Sequence, residues 1–258
     1  MDREVRYEVE AGTARLTIDR EAARNALSAK VVLELQEGLA TAEADPQVRA
    51  IVLTGAGSRV FCAGGDLGGL SGEGFLAGHD GRRAYGGLLL ALSQVKKPTI
   101  ARVNGHALAG GLGLVLACDL AVASADAGFG TPEIDRGLFP MMVTALLQRH
   151  LGRKRALELV LSGDRLTAAQ ALEWGLLNRV VPAAELDSAT AALAAKVGGK
   201  SLAILALGRR SFFTAEDLPL AQAVEYLAAQ LSLNVLTEDA AEGVSAFLEK
   251  RPPKWNDR

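Results

Sequence analysis

Along the first half of the chain the apolar positions change period several times. Thr13 to Asp19 alternates, with Ala14, Leu16 and Ile18 on one side, which is the period of a strand with one buried face. Val5 to Glu10 precedes it across Ala11-Gly12, so the chain opens with two short strands. A turn from Arg20 to Leu27 leads to Ser28, whose hydroxyl suits a helix N-cap. Val32, Leu35, Leu39 and Ala42 then share one face of a helix that runs to about Ala44. After Pro46, Val48 to Thr54 is apolar without alternation, as in a strand covered on both faces. Gly55 to about Gly81 is dense in glycine and predicts a loop; a helix is expected over Arg82 to Val95 and a strand over Thr99 to Val103. Asn104-Gly105 is a turn, and the run from Gly110 is a helix apolar on every side, with Leu112, Leu114, Val115, Leu116 and Ala117, hence buried. Leu120 to Ala123 closes the series as another buried strand. Strands alternating with helices in this way predict an α/β fold with a parallel sheet.

The second half reads as mainly helical. Gly128 to Glu133 is a loop; helices follow over Val143 to His150, Arg153 to Leu161 and, capped by Thr167, Ala168 to Trp174. Gly175 ends that helix, and Leu177 to Val181 is a short strand. Four more helices are expected: Ala183 to Val197, Ser201 to Phe213, Asp217 to Val235 and Asp239 to Lys250. A helical tail of this size, after a complete sheet layer, predicts a surface that covers a neighbour. No fixed-period repeat or low-complexity linker interrupts it.

Composition narrows this picture only a little. With 258 residues, 49% hydrophobic and 22% charged, the chain suits one large domain with or without an appendage. A net charge of -2 gives no reason to expect nucleic acid or an anionic membrane as partner. Cys62 and Cys118 lie in apolar sequence with no metal or disulfide spacing, as expected of buried thiols in a reducing compartment. The first residues, Met-Asp-Arg-Glu-Val-Arg-Tyr, carry no apolar signal region, and the expected location is cytoplasmic.

Two glycine-rich stretches hold the candidate chemistry. Ala109-Gly110-Gly111 stands at the start of the buried helix, where the first N–H groups have no intrahelical acceptor and the helix dipole favours negative charge. Such a terminus is either an oxyanion site or a tight packing contact. Ala63-Gly64-Gly65-Asp66 follows the strand Val48 to Thr54 and again exposes backbone amides. Two loops leaving strands of one sheet can each aim one N–H at a shared point, which is how a two-donor oxyanion hole is made. Other patterns fail. No phosphate-loop or dinucleotide fingerprint is complete, Gly69-Leu70-Ser71-Gly72-Glu73 lacks the last glycine of a nucleophile elbow, and His79, His106 and His150 have no metal spacing.

Phe61 to Leu67, Val103 to Gly111, Cys118-Asp119 and Phe129-Gly130-Thr131-Pro132-Glu133 together resemble the enoyl-CoA hydratase/isomerase (crotonase) family. Arg24 to Ser28 and Ala246 to Arg251 are similar as well, in the family's order and over nearly the whole chain. The resemblance implies a crotonase-like α/β spiral of ββα turns over residues 1–197. Residues 198–258 would form a helical region for trimerisation, commonly paired into hexamers. It implies an acyl-CoA thioester as substrate and no metal or redox cofactor. The Gly65 and Gly110 N–H groups would hold the thioester oxygen. Arg24, Ala26, Ala63, Asp66 and Leu67 would border the CoA, and Glu133 would be the acid/base. A glutamate after proline, among Ile134, Leu138, Phe139 and Pro140, should be partly desolvated and its pKa raised; the plain alternative is a surface glutamate in a turn.

The sequence departs from the family pattern at Gly113, where the hydratases carry a second glutamate. Met141 and Met142 stand where many relatives have small residues, and Met141 aligns with an aspartate of dienoyl-CoA isomerases. Gly113, Met141 and Met142 are therefore expected along the acyl pocket; core packing is an equally good reading of the methionines. One carboxylate suffices for Δ3–Δ2 double-bond migration, and hydration with it is slower. Acyl-CoA binding without turnover, or acyl-CoA hydrolysis, are the alternatives.

Overall fold

The computed structural model describes residues 3–66 and 74–258. A hairpin of β1 (Val5–Glu10) and β2 (Thr13–Ile18) starts a six-stranded sheet that continues through β3 (Ala50–Gly55), β5 (Thr99–Val103), β7 (Leu120–Ser124) and β10 (Arg179–Val181). Only β1–β2 is antiparallel; β2 through β10 pair in parallel. The unbroken apolar run of β3 is explained by what lies on its two faces. Ile51 and Leu53 belong to the main core, with α1 (Ala29–Ala44) and α2 (Phe75–Gln94). Ala50 and Val52 face a second core against α7 (Leu186–Gly198). Ser28 caps α1 by accepting the Val31 N–H at 3.1 Å, as its residue type predicted.

A second, smaller sheet is absent from the sequence reading. Its strands are β4 (Val60–Cys62), β6 (His106–Leu108), β8 (Gly128–Gly130) and β9 (Arg165–Thr167), in that order. The first three run parallel and β9 antiparallel. Three residues is too short a run to show a period, and these strands are rich in glycine, histidine or cysteine. The stretch expected as one loop from Gly55 to Gly81 therefore holds β4 and the first turns of α2, which begins at Phe75, seven residues before the expected start at Arg82. Leu67, and Gly69 to Glu73, lie outside the described residues.

The remaining helices are α3 (Gly110–Ala117), α4 (Met141–His150), α5 (Arg153–Ser162), α6 (Ala168–Glu173), α8 (Leu202–Glu216), α9 (Leu220–Asn234) and α10 (Glu238–Leu248). Every residue of α3 from Gly111 on is buried, as its apolar sequence required. Ala183 to Val197, expected as one helix, begins instead with a 3-10 turn over Ala183–Glu185 before α7. Among the contacts that tie the last three helices to the rest, Arg209 of α8 reaches Asp119 and the Leu92 carbonyl, and Arg149 of α4 reaches Asp217. These helices leave Phe212, Leu220, Leu236 and Phe247 between 64% and 82% exposed. No single described helix is long and apolar enough to cross a membrane.

Candidate active site

The small sheet sets the site. Its three parallel strands end side by side, and each runs within three residues into a candidate group: β4 to Gly65, β6 to Gly110 and β8 to Glu133. Parallel strands bring equivalent ends together, so residues far apart in sequence share one edge.

The loop after β4 is zipped to the segment before α1. The Ala63 N–H donates to the Arg24 carbonyl at 3.1 Å, Leu27 N–H to Gly64 O at 2.8 Å, and Asp66 N–H to Leu27 O at 3.1 Å. These three bonds bring Arg24 and Ala26 beside Ala63, Gly65 and Asp66. The pattern skips the Gly65 N–H, which has no acceptor among the described residues. Arg24 and Asn25 both adopt left-handed backbone, with φ of 55° and 53°. Asn25 is fully buried and holds that turn, accepting from the Arg20 N–H and donating to the carbonyls of Ala56 and Val60. Arg20 also pairs with Asp66 at 3.1 Å and Glu4 at 3.3 Å, fixing the loop's acidic residue.

The loop before α3 meets the first one. Gly64 takes φ of +94°, and a Cβ there would stand 2.5 Å from Ala109 Cβ and 3.1 Å from Gly110 N. Ala109 itself has φ 53° and ψ -129°, a conformation an L residue rarely holds, and supplies no side-chain cap. The Ala109 N–H is used by Gly130 O at 2.8 Å, while the Gly110 N–H has no acceptor among the described residues. Behind the loops, a Cβ on Gly111 would overlap the Cys62 carbonyl, so the start of α3 is pressed onto β4. Gly111 and Gly64 are thus packing contacts, while the N–H groups of Gly65 and Gly110 have no acceptor among the described residues.

The third loop carries Glu133. Thr131 is fully buried and anchors it, its hydroxyl donating to Leu159 O at 3.0 Å. Glu133 is half-buried just before the 3-10 turn Ile134–Arg136, and its carbonyl accepts from the N–H groups of Arg136 and Leu138. Its Oε2 is buried with no hydrogen-bond partner among the described residues. Burial pushes the carboxyl pKa above the ordinary glutamate value, against a smaller opposing pull from its own backbone N–H and Arg136.

The three positions expected along the acyl pocket separate. Met141 opens α4 and is 71% exposed, whereas Met142 is half-buried against the core and near Gly86. Gly113 is buried and does not present an open wall. Tyr85 of α2 lies over it: a Cβ on Gly113 would overlap the Tyr85 hydroxyl and stand 3.3 Å from Val143. Tyr85, which donates to the Gly110 carbonyl at 2.8 Å, was missed in the sequence. It lies within the helix expected over Arg82 to Val95, and no local pattern links it to glycines 25 and 28 residues further on.

The family model for enoyl-CoA hydratase/isomerase matches residues 8–258. A carnitinyl-CoA dehydratase of Escherichia coli is 38% identical over 250 residues, 94% of each chain. A probable mitochondrial enoyl-CoA hydratase of Dictyostelium discoideum is 34% identical over 94% of this chain and 87% of its own. The crystal structure of an enoyl-CoA hydratase from Mycobacterium smegmatis superposes with a TM-score of 0.94 at 36% identity, covering 98% of this chain and 99% of that one. This chain belongs to the enoyl-CoA hydratase/isomerase family and has the crotonase fold.

Proposed function

We propose that the chain is an enzyme acting on an enoyl-CoA thioester, with the Gly65 and Gly110 N–H groups as an oxyanion hole and Glu133 as the only acid/base. The observation that carries this reading is that three parallel strands, paired side by side, lead to two amides without acceptors and one buried carboxylate oxygen without a donor among the described residues. The thioester carbonyl makes the neighbouring carbon acidic; charge that moves onto its oxygen is received by the two amides. Glu133, whose carboxyl burial makes a stronger base than an ordinary glutamate, takes a proton at one carbon and can return it at another. The thioester supplies its own electron sink, so the reaction calls for no metal or redox group. The CoA would lie along the zipped seam, near Arg24, Ala26, Ala63 and Asp66, and the acyl chain toward Met141 and Met142.

With one carboxylate, the reaction is Δ3–Δ2 double-bond isomerisation or hydration of a 2-enoyl-CoA in which Glu133 both orients water and returns its proton. The exposed apolar side chains of α8 to α10 fit burial in a homotrimer, single or paired, which light scattering on the purified protein would read. The test of the reaction is a mass-spectrometric assay in heavy-oxygen water with Δ2-enoyl, Δ3-enoyl and saturated CoA thioesters. Label in the acyl product means hydration, migration without label means isomerisation, and free CoA means hydrolysis. No conversion of any of the three would leave an acyl-CoA-binding protein and end the catalytic reading.

A further inference from the structure

Tyr85 is 9% exposed and sits where α2 crosses the first turn of α3. Gly110 and Gly113 are one helical turn apart and face it together. A Cβ on Gly110 would stand 3.3 Å from both the Tyr85 Cζ and its hydroxyl oxygen. On Gly113 it would overlap that oxygen while keeping an ordinary 3.5 Å to Cζ. The end of the ring therefore fills a notch made by two missing side chains. Its hydroxyl donates to the Gly110 carbonyl, a group on the same residue as the free amide. Burial chiefly, and then the fields of Cys62 and Glu133, hold the phenol's pKa well above its ordinary value, so it remains a neutral donor.

The first turn of α3 needs such a brace. Its N-cap, Ala109, is in strained backbone and offers no side-chain oxygen, and three of its first four residues are glycine, the residue with most freedom to lose. We propose that Tyr85 is a positioning residue for the oxyanion hole: by holding the Gly110–Gly111 peptide through its carbonyl it fixes the C-terminal side of Gly110 and so limits how far the residue, with its free N–H, can turn, and it occupies the space in which any side chain at Gly113 would have to stand. The second role keeps a further proton-carrying group out of contact with Glu133 and so preserves the single-carboxylate chemistry. This inference rests on the oxyanion reading above.

The test is Tyr85→Phe, which keeps the ring and removes the hydrogen bond. Butyryl-CoA labelled with carbon-13 at the thioester carbonyl serves as a saturated probe, and the infrared shift of that carbonyl on binding reports the hole directly. We expect Tyr85→Phe to bind the probe as wild type does, with a smaller carbonyl shift. Its kcat on an enoyl-CoA should fall about tenfold, the scale of one neutral hydrogen bond, while KM holds. Gly113→Ala should lose activity in the wild-type background and lose less in Tyr85→Phe, because removing the hydroxyl removes the overlap. A full carbonyl shift and full kcat in Tyr85→Phe would overturn the role of Tyr85 and leave the oxyanion hole standing. No carbonyl shift in the wild type would overturn both.

Discussion

Arg209 grips both carboxylate oxygens of Asp119, at 2.8 and 2.7 Å, from a helix 90 residues further along the chain. The pair is 11% and 18% exposed, and Asp119 also accepts the Thr99 N–H at 2.7 Å. It thus ties the C-terminal helices to the strand that leads into the site. Asp119→Ala removes one partner and leaves a guanidinium in a mostly dry place. Breaking such a pair costs about 3–5 kcal/mol when fully buried, and the residual exposure here puts the expected loss toward the lower end. Urea unfolding of wild type and variant reads it, and a loss under about 1 kcal/mol would mean α8 is held mainly by other contacts.

Adjacent glycines at the site should respond differently to the same substitution. Gly64→Ala forces φ of +94° on an L residue and drives its Cβ into Ala109, so at least about 1–3 kcal/mol of stability is lost. Gly65→Ala meets no atom within 4 Å and has no such backbone constraint. Its stability should stay within about 0.5 kcal/mol of wild type. Equal melting temperatures for the two variants would contradict the loop contact described here.

Glu133→Gln keeps the shape of the side chain and removes its proton chemistry. Turnover should drop about 10²–10⁴-fold while affinity for a saturated acyl-CoA persists. In the wild type, kcat for the step begun by the carboxylate should fall as pH is lowered through the raised pKa of Glu133. Activity in the variant equal to wild type would remove Glu133 from the mechanism.

The same carboxyl makes a stability prediction with a definite sign. Because the folded chain holds Glu133 above its ordinary value, it retains the proton more readily than the unfolded chain does. Its contribution is favourable below the unfolded pKa and is lost as pH rises through the folded one. At neutral pH, where the charged form is poorly solvated, Glu133→Gln should melt at a higher temperature than wild type, and the gap should close in acid. A variant that melts lower at neutral pH would point to a hidden partner for Oε2.

Burial also pushes the Cys62 thiol up to about 12 and raises that of Cys118. Neither should react with a disulfide reagent at pH 8 in the native protein, and both should react once it is unfolded. Rapid labelling of the native protein would mean that the main core opens at β4 or at the end of α3.

The period of the apolar residues was enough to locate the main sheet, α1 and the buried α3, because those elements are long and each buries a face set by its own sequence. Thr99–Val103 and the start of α3 at Gly110 were read to the residue. The motifs carrying Gly65, Gly110 and Glu133 were legible too, since small residues and a post-proline glutamate are visible one at a time. What no local pattern could show was the small sheet, whose three-residue strands owe their existence to pairing with one another. That pairing brings three distant loops to one edge, where two amides and one carboxylate oxygen have no partner among the described residues, and the packing of α2 on α3 seats Tyr85 in the notch above Gly113. Those are relations between segments dozens of residues apart, so only the packed chain decides them.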